Sequence, residues 1–330
     1  VTSASITLTA GSDTQSGINT RTLERAIAPY ANGTCGTYGG FASIATSPTS
    51  PYVDSGLASG SCYKYQYTVT DNVNNSFTYT SGEEVRIDTA APTGTISASP
   101  IGPVSGITTI TGDSADTLSG VQKVDVKFSG PASGDICLAP PTPTSWSCNW
   151  NTTSLPDGTY TITLQVTDNA GNRETSPITR TLNLDNTAPT TTFNSFVEVS
   201  GNNYIHAPSG GSTMYYNPAQ AGSFRVLINA TDAGSNINHV TFPAPAGTGW
   251  TPTSASDDTT APSPYEYTYS FSAPTGGSPG LLNTTAYDNA GKSTNASFTL
   301  TQDAAGPAGG SINYASAVTN VTSASITLAA

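Results

Sequence analysis

The chain is poor in charge. Asp, Glu, Lys and Arg make up only 10% of its 330 residues, and Lys plus Arg number 10 against 22 Asp plus Glu. With a net charge of -12 there is no basic stripe to neutralise phosphates, which excludes nucleic-acid binding. An anionic membrane surface would repel the chain, so no membrane contact is expected within it. Histidine is nearly absent, with two residues, and the four cysteines nowhere stand as Cys-x-x-Cys, so zinc-site arithmetic fails. No apolar run is long enough for a membrane-spanning helix. No leader-peptide pattern opens the sequence, and Val1 falls inside a strand pattern, so any export signal or anchor is expected outside this stretch.

Long helices are excluded by what is abundant. With 32 Gly and 23 Pro, helix interruption recurs throughout. Apolar residues instead alternate in short runs, which reads as packed sheets. In residues 62–69, Tyr63, Tyr65, Tyr67 and Val69 share one face. In residues 121–128, Val124, Val126 and Phe128 face one way and Lys123, Asp125 and Lys127 the other, the pattern of half-buried strands. Further strands are expected at residues 5–8, 20–28, 77–87, 224–230 and 265–271, with Glu83 and Glu84 on an edge-like strand. The chain is therefore all-β.

One corner recurs. Tyr160-Thr161-Ile162-Thr163-Leu164-Gln165-Val166 runs into Thr167-Asp168-Asn169-Ala170-Gly171-Asn172. Asp71-Asn72 and Asp288-Asn289 end similar runs, 97 residues before and 120 residues after Asp168. Each corner is followed by a strand-ending Asp and a proline: Asp88 with Pro92, Asp185 with Pro189, Asp303 with Pro307. Proline cannot donate to a ladder, so these are junctions. The first ten residues return at 321–330 with one change, Thr9 to Ala329, an offset of 320 residues. Three sandwich-sized modules follow: 1–88, 89–185 and 186–303, the last with a polar insertion at 201–219, while 304–330 opens the next copy. Module one lacks its first strand. The counterpart lies at 310–318, and a neighbouring copy could receive it by strand addition.

Two local cysteine pairs, Cys35 with Cys62 and Cys137 with Cys148, point to disulfides and an oxidising, extracellular compartment. The second pair brackets Pro140-Pro141-Thr142-Pro143 as a pinned loop. Spare carboxylates make calcium a candidate partner, since Ca²⁺ takes six to eight oxygen ligands. The donors on offer are junction acids (Asp88, Asp185, Asp303), corner acids (Asp71, Asp168, Asp288) and loop acids (Asp13, Asp113, Asp116). The best set draws on Asp168 with Asp113 or Asp116, with Asp185 as a junction acid. The same Asp-Asn pairs also serve simply to build turns. Trp146, Trp150, Trp250 and the pair Tyr215-Tyr216 could stack on sugars, although such residues more often pack cores. The seven Asn-x-Ser/Thr sequons are what this composition yields by chance. No Gly-x-Ser-x-Gly element accompanies His206 or His239, so no enzyme is expected.

Residues Leu155-x-Asp157-Gly158-x-Tyr160 through Asp168-x-Ala170-Gly171-Asn172 resemble the closing half of bacterial immunoglobulin-like domains. The Asp-Thr-Ala-Ala-Pro junction is similar to the linkers of their tandem arrays. Cys35 with Ser61-Cys62-Tyr63-Lys64-Tyr65 resembles a fibronectin-like repeat of large exported bacterial proteins. Module one departs from the pattern with Val73-Asn74-Asn75 at the corner, and module three with Lys292. The resemblance implies three tandem immunoglobulin-like β-sandwiches in a structural segment of a giant cell-surface protein: a fibre, stalk or adhesin shaft. Calcium between modules is also implied as an option, with neighbouring repeats or homotypic filament contacts as partners. The alternatives are an array binding glycans or a surface receptor, or an accessory region of a surface enzyme.

Overall fold

Alternating apolar residues and frequent turn formers produce strands throughout, and no helix occurs among the described residues of the computed structural model. The structure describes residues 2–139, 145–201, 203–313 and 327–329. It divides into two compact units, Val1–Asn186 and Thr187–Ala330.

The first unit holds two sandwiches. Strands β1 (Ser3–Ile6), β2 (Ile18–Ala31), β3 (Thr34–Cys35), β4 (Ala42–Thr46), β5 (Tyr52–Ser55), β6 (Ser61–Asp71), β7 (Ser76–Thr80) and β8 (Val85–Ile87) form the first. Among the described residues β1 pairs only with β5, while β2 and β6 are the spine of the opposing sheet. Tyr63, Tyr65, Tyr67 and Val69 all point into the core with Leu23, as the alternation requires. The expected closing strand at 77–87 is two strands, because the chain bends at 82–83. Glu83 and Glu84 thus sit off any strand, where Glu84 accepts from Arg86 and from the Tyr38 hydroxyl.

The second sandwich is seven-stranded: β9 (Thr93–Gly94), β10 (Ile107–Ala115), β11 (Val121–Ser129), β12 (Gly134–Ala139), β13 (Ser145–Asn151), β14 (Gly158–Asp168) and β15 (Ile178–Leu184). Its sheets run β13-β10-β9 and β12-β11-β14-β15. Trp150 fills the core against Phe128 and Tyr160, with ring centroids 5.4 and 5.5 Å away. The Tyr160 hydroxyl donates to the Pro156 carbonyl four residues upstream, the tyrosine corner of immunoglobulin folds.

Both disulfides form. Cys35–Cys62 ties β3 to β6, and Cys137–Cys148 ties β12 to β13 across the two sheets. The proline loop at 140–143 lies outside the described residues.

The second unit contains β16 (Thr190–Ser200), β17 (Ile205–His206), β18 (Thr213–Tyr216), β19 (Gly222–Thr231), β20 (Ile237–Phe242), β21 (Thr248–Thr251), β22 (Ser256–Asp258), β23 (Tyr265–Gly276), β24 (Gly280–Asp288) and β25 (Ser293–Gln302). They pack as β16-β19-β23-β21 against β17-β18-β25-β24-β20-β22. The polar insertion is therefore partly strand: it supplies β17 and β18, and β18 runs parallel to β25. A two-stranded hairpin follows, β26 (Ser311–Asn313) against β27 (Thr327–Ala329).

Candidate metal centre

The corner after β14 is built by its own side chains. Asp168 Oδ1 accepts from the Asn172 N–H at 2.8 Å, and Oδ2 accepts from Asn172 Nδ2 at 2.8 Å. Gly171 takes φ +89°, which the turn needs and a side chain resists. The next residue reaches outward: Asn169 Nδ2 donates to the carbonyls of Ser119 and Gly120 at 2.8 and 3.1 Å. This clasps the loop between β10 and β11. In that loop Asp116 Oδ2 accepts from the Leu118 and Gly120 N–H groups at 2.9 and 2.8 Å.

The same clasp occurs three times. Asn72 Nδ2 donates to the carbonyls of Ser16 and Gly17, and Asn289 Nδ2 to those of Ser235 and Asn236. In each case a loop acid shapes the clasped loop, Asp13 in the first sandwich and Asp232 in the third. Hydrogen bonds from Ser16 and the adjacent backbone hold the Asp13 carboxyl below the ordinary range. For Asp71, desolvation pushes upward, but hydrogen bonds from Asn75 and Val73 outweigh it and the carboxyl titrates low.

At the corner after β14 a third acid joins. Asp88 follows β8; its Oδ1 accepts from Ala90 N–H at 2.9 Å and its Oδ2 from Ser119 N–H at 3.1 Å. Its carbonyl accepts from Asn172 Nδ2. Asp88, Asp116 and Asp168 each present a carboxylate oxygen within 4.8 Å of the others. Asp88 and Asp168 are buried. None of the three is in an ion pair with Lys or Arg among the described residues.

Around this cluster the two sandwiches of the first unit are fastened. Leu118 packs against the Tyr30, Cys35 and Cys62 group of the first sandwich. Asn32 and Gly33 N–H groups donate to the Thr117 and Leu118 carbonyls at 2.9 and 2.7 Å.

Of the acids chosen from sequence, the structure brings Asp168 and Asp116 together and leaves Asp113 and Asp185 elsewhere. Asp113 lies on β10, where alternation turns Gly112 and Ser114 inward and Asp113 to solvent. Asp185 follows β15, whose Leu184 pairs with Gly158, so it stands at the far end of β14 from Asp168. Asp88 completes the set. The strand-ending Asp before a proline was the signal for it, but nothing in the sequence says which junction meets which corner. In the second unit Asp232 and Asp288 offer oxygens within 4.8 Å of each other, and Asp232 carried no motif that singled it out.

The donor set fits a hard divalent cation. It is all oxygen and carries three formal charges, with neither His nor Cys, as Ca²⁺ or Mg²⁺ requires. The Ser119 Oγ beside it is buried and has no hydrogen-bond partner.

The aromatic residues considered for sugar stacking are core. Trp146, Trp150, Trp250 and Tyr216 are all buried. Tyr215 alone of that group is exposed, at 38%, beside Tyr204, His206 and Asn217 in an open 240 Å³ depression. His239 stacks on Tyr287 at 4.7 Å on the surface of β20.

Two sequence profiles match. Residues 84–164 match the bacterial Ig domain, and residues 144–207 match the bacterial Ig-like domain (group 3). No curated protein matches. Among solved structures, the Clostridium thermocellum CbhA fibronectin(III)-like modules are similar at 17% identity, with 64% of this chain and 95% of that chain covered and a TM-score of 0.33. A Ca²⁺-stabilized, ice-binding adhesin of an Antarctic bacterium is similar at 17% identity over 91% of this chain and 68% of that one, with a TM-score of 0.35. A tetra-tandem repeat from the extending region of a large adhesion protein is similar at 16% identity over 94% and 75%, with a TM-score of 0.32. Bacterial Ig-like sequence thus occupies residues 84–207 of an all-β chain of tandem immunoglobulin-like sandwiches.

Proposed function

We propose that this chain is a spacer: a structural repeat segment of an extracellular protein whose first two sandwiches are held as one piece, with Ca²⁺ bound by Asp88, Asp116 and Asp168. The observation that carries the reading is the fastening of the first two sandwiches. An apolar anchor (Leu118), two backbone hydrogen bonds and a three-carboxylate cluster meet at one place. Three carboxylates at that spacing repel one another, and a divalent cation turns the repulsion into cross-linking. When bound, calcium supplies charge neutralisation and a bridge between the junction, the loop and the corner. The clasps contributed by Asn169 and Asn172 preset the loop and corner, so little ordering remains to oppose binding.

The extracellular setting rests on the two disulfides, which persist only under oxidising conditions. The sandwiches are Ig-like repeat types, and their role here is mechanical rather than catalytic. Module limits of 1–88, 89–185 and 186–303, with 304–330 opening a further copy, belong to the same reading.

The test is calorimetric titration of the full chain with CaCl₂, alongside thermal unfolding in calcium and in EGTA. Saturable binding lost in Asp88→Asn and Asp168→Asn is the expected result. An unchanged heat signal and an unchanged melting temperature would remove calcium from the account.

A further inference from the structure

The β2–β3 hairpin of the first sandwich is an overhang. Its pairs Tyr30↔Cys35 and Ala31↔Thr34 close on Asn32 and Gly33, both at positive φ, +50° and +74°. The ladder between β2 and β6 ends at Pro29↔Ser61, so the tip projects past it. β3 and β6 flank β2 on opposite sides. In a flat sheet such neighbours lie about 10 Å apart. The Cα atoms of Cys35 and Cys62 are only 5.8 Å apart, so the hairpin is curled over its own sheet. Gly36 and Gly39 N–H groups donate to the Pro29 and Ile27 carbonyls, which keeps the returning chain beside β2. Neither of those bonds reaches β6. The Cys35–Cys62 bridge does, and it fixes the curl.

The curled tip is what meets the second sandwich. Asn32 and Gly33 N–H groups donate to the Thr117 and Leu118 carbonyls, and the Leu118 side chain packs on Tyr30, Cys35 and Cys62. Leu118 N–H in turn donates to Asp116 Oδ2, and the next N–H, that of Ser119, donates to Asp88 Oδ2. Leu118 thus carries the position of the hairpin to two of the three carboxylates. Tyr30 lies within reach of all three charges. Burial raises its hydroxyl above the ordinary value, Arg86 pulls it down, and Asp88, Asp116 and Asp168 add to the rise. The other bridge is placed differently. Cys137–Cys148 joins β12 to β13, and Cys148 pairs with Ile110 in the middle of β10, whereas Asp116 follows the end of that strand.

We infer that the Cys35–Cys62 disulfide is a positioning element of the cation site: by fixing the curl of the hairpin it presets the loop of Asp116 and so sets the affinity of the Asp88, Asp116 and Asp168 cluster for Ca²⁺. The inference rests on Ca²⁺ binding at that cluster. Linkage makes the effect reciprocal: the factor by which the bridge raises calcium affinity is the factor by which calcium favours the bridge over the two thiols. The junction closes fully only in a medium that is both oxidising and rich in calcium.

Two measurements on the full chain test this. In calorimetric titration with CaCl₂, Cys35→Ser/Cys62→Ser should bind about tenfold more weakly than the wild type, within the usual range for coupled sites. Cys137→Ser/Cys148→Ser should stay within about twofold, as an uncoupled change does. The second measurement needs no variant and stands even if the first double variant does not fold. The wild type is equilibrated in dithiothreitol redox buffers with CaCl₂ or with EGTA, and each cysteine pair is read by thiol labelling and mass spectrometry. Calcium should shift the Cys35–Cys62 equilibrium toward the disulfide by the same factor, about 30 mV for tenfold in a two-electron couple. It should shift Cys137–Cys148 much less. A bridge that merely stabilised its fold would give the reverse order, because Cys137–Cys148 lies in the sandwich that supplies Asp116 and Asp168. Calcium binding with equal shifts at both bridges, or with none at Cys35–Cys62, would overturn the inference and leave the calcium site standing. No calcium binding by the wild type would overturn both.

Discussion

Asp116→Asn separates two roles that a carboxylate cluster can have. Asp116 uses Oδ2 alone for both loop hydrogen bonds, to Leu118 and Gly120 N–H, so an Asn oxygen keeps the turn. What changes is charge. At 4.8 Å and an effective dielectric near 20, each carboxylate pair repels by about 3.5 kcal/mol, and Asp116 belongs to two pairs. Asp116 is only partly buried, so solvent screens most of this, leaving about 1–2 kcal/mol of relief. Without calcium, Asp116→Asn should therefore be more stable than the wild type. With calcium the order reverses. For a dissociation constant of about 0.3 mM, in the range of extracellular modules, roughly 10 mM Ca²⁺ stabilises the wild type by about 2 kcal/mol. For a unit of this size that is a rise of about 4–8 °C in melting temperature. The variant should show a rise of less than about 2 °C, by the same conversion. Differential scanning calorimetry in EGTA and in calcium reads both signs. A variant destabilised in EGTA that keeps the full calcium response would refute the reasoning.

Other outcomes follow from the same contacts. Leu118→Ala removes the apolar anchor of the junction and should cost about 1–2 kcal/mol, less than a fully buried leucine, read as a lowered melting temperature of the first sandwich. Reduction of Cys35–Cys62, which closes a loop across a separation of 27 residues, should cost about 3–4 kcal/mol, and loss of Cys137–Cys148, across 11, about 3 kcal/mol, by chemical denaturation with and without reductant. Burial, then the hydrogen bond to Asp54, raises the Tyr65 hydroxyl above its ordinary value. A raised folded value means the contribution is full below pH about 10 and is lost as pH rises toward the folded value. Alkaline unfolding followed by tyrosinate absorbance should therefore be shallower in Tyr65→Phe than in the wild type.

Much of the fold was legible because strands advertise themselves by period. The alternations through Tyr63 to Val69 and through Val124 to Phe128 placed β6 and β11 directly. The break between β7 and β8 was not legible, since a bend at Gly82 looks the same in sequence as a strand interrupted by one glycine. The corner was read in both its senses: Asp168 does cap its own turn, and it also faces two other acids. Which acids face Asp168 depends on three-dimensional pairing that the sequence does not carry. Asp113 and Asp116 are three residues apart and look equivalent, but β10 ends between them, so one points to solvent and the other turns into the junction. Asp88 is remote in sequence from Asp168, and only the docking of two sandwiches unites them. The tryptophans went the way the sequence favoured over sugar stacking: large aromatics in a charge-poor chain are its core.

The central claim is that the first two sandwiches are held as one spacer. Residual dipolar couplings of the full chain in saturating calcium, measured for strand amides of residues 3–184, test it most directly. A single alignment tensor fitting both sandwiches, with separate tensors emerging in EGTA or in Asp168→Asn, is the predicted result. Two tensors of different magnitude in saturating calcium would contradict it.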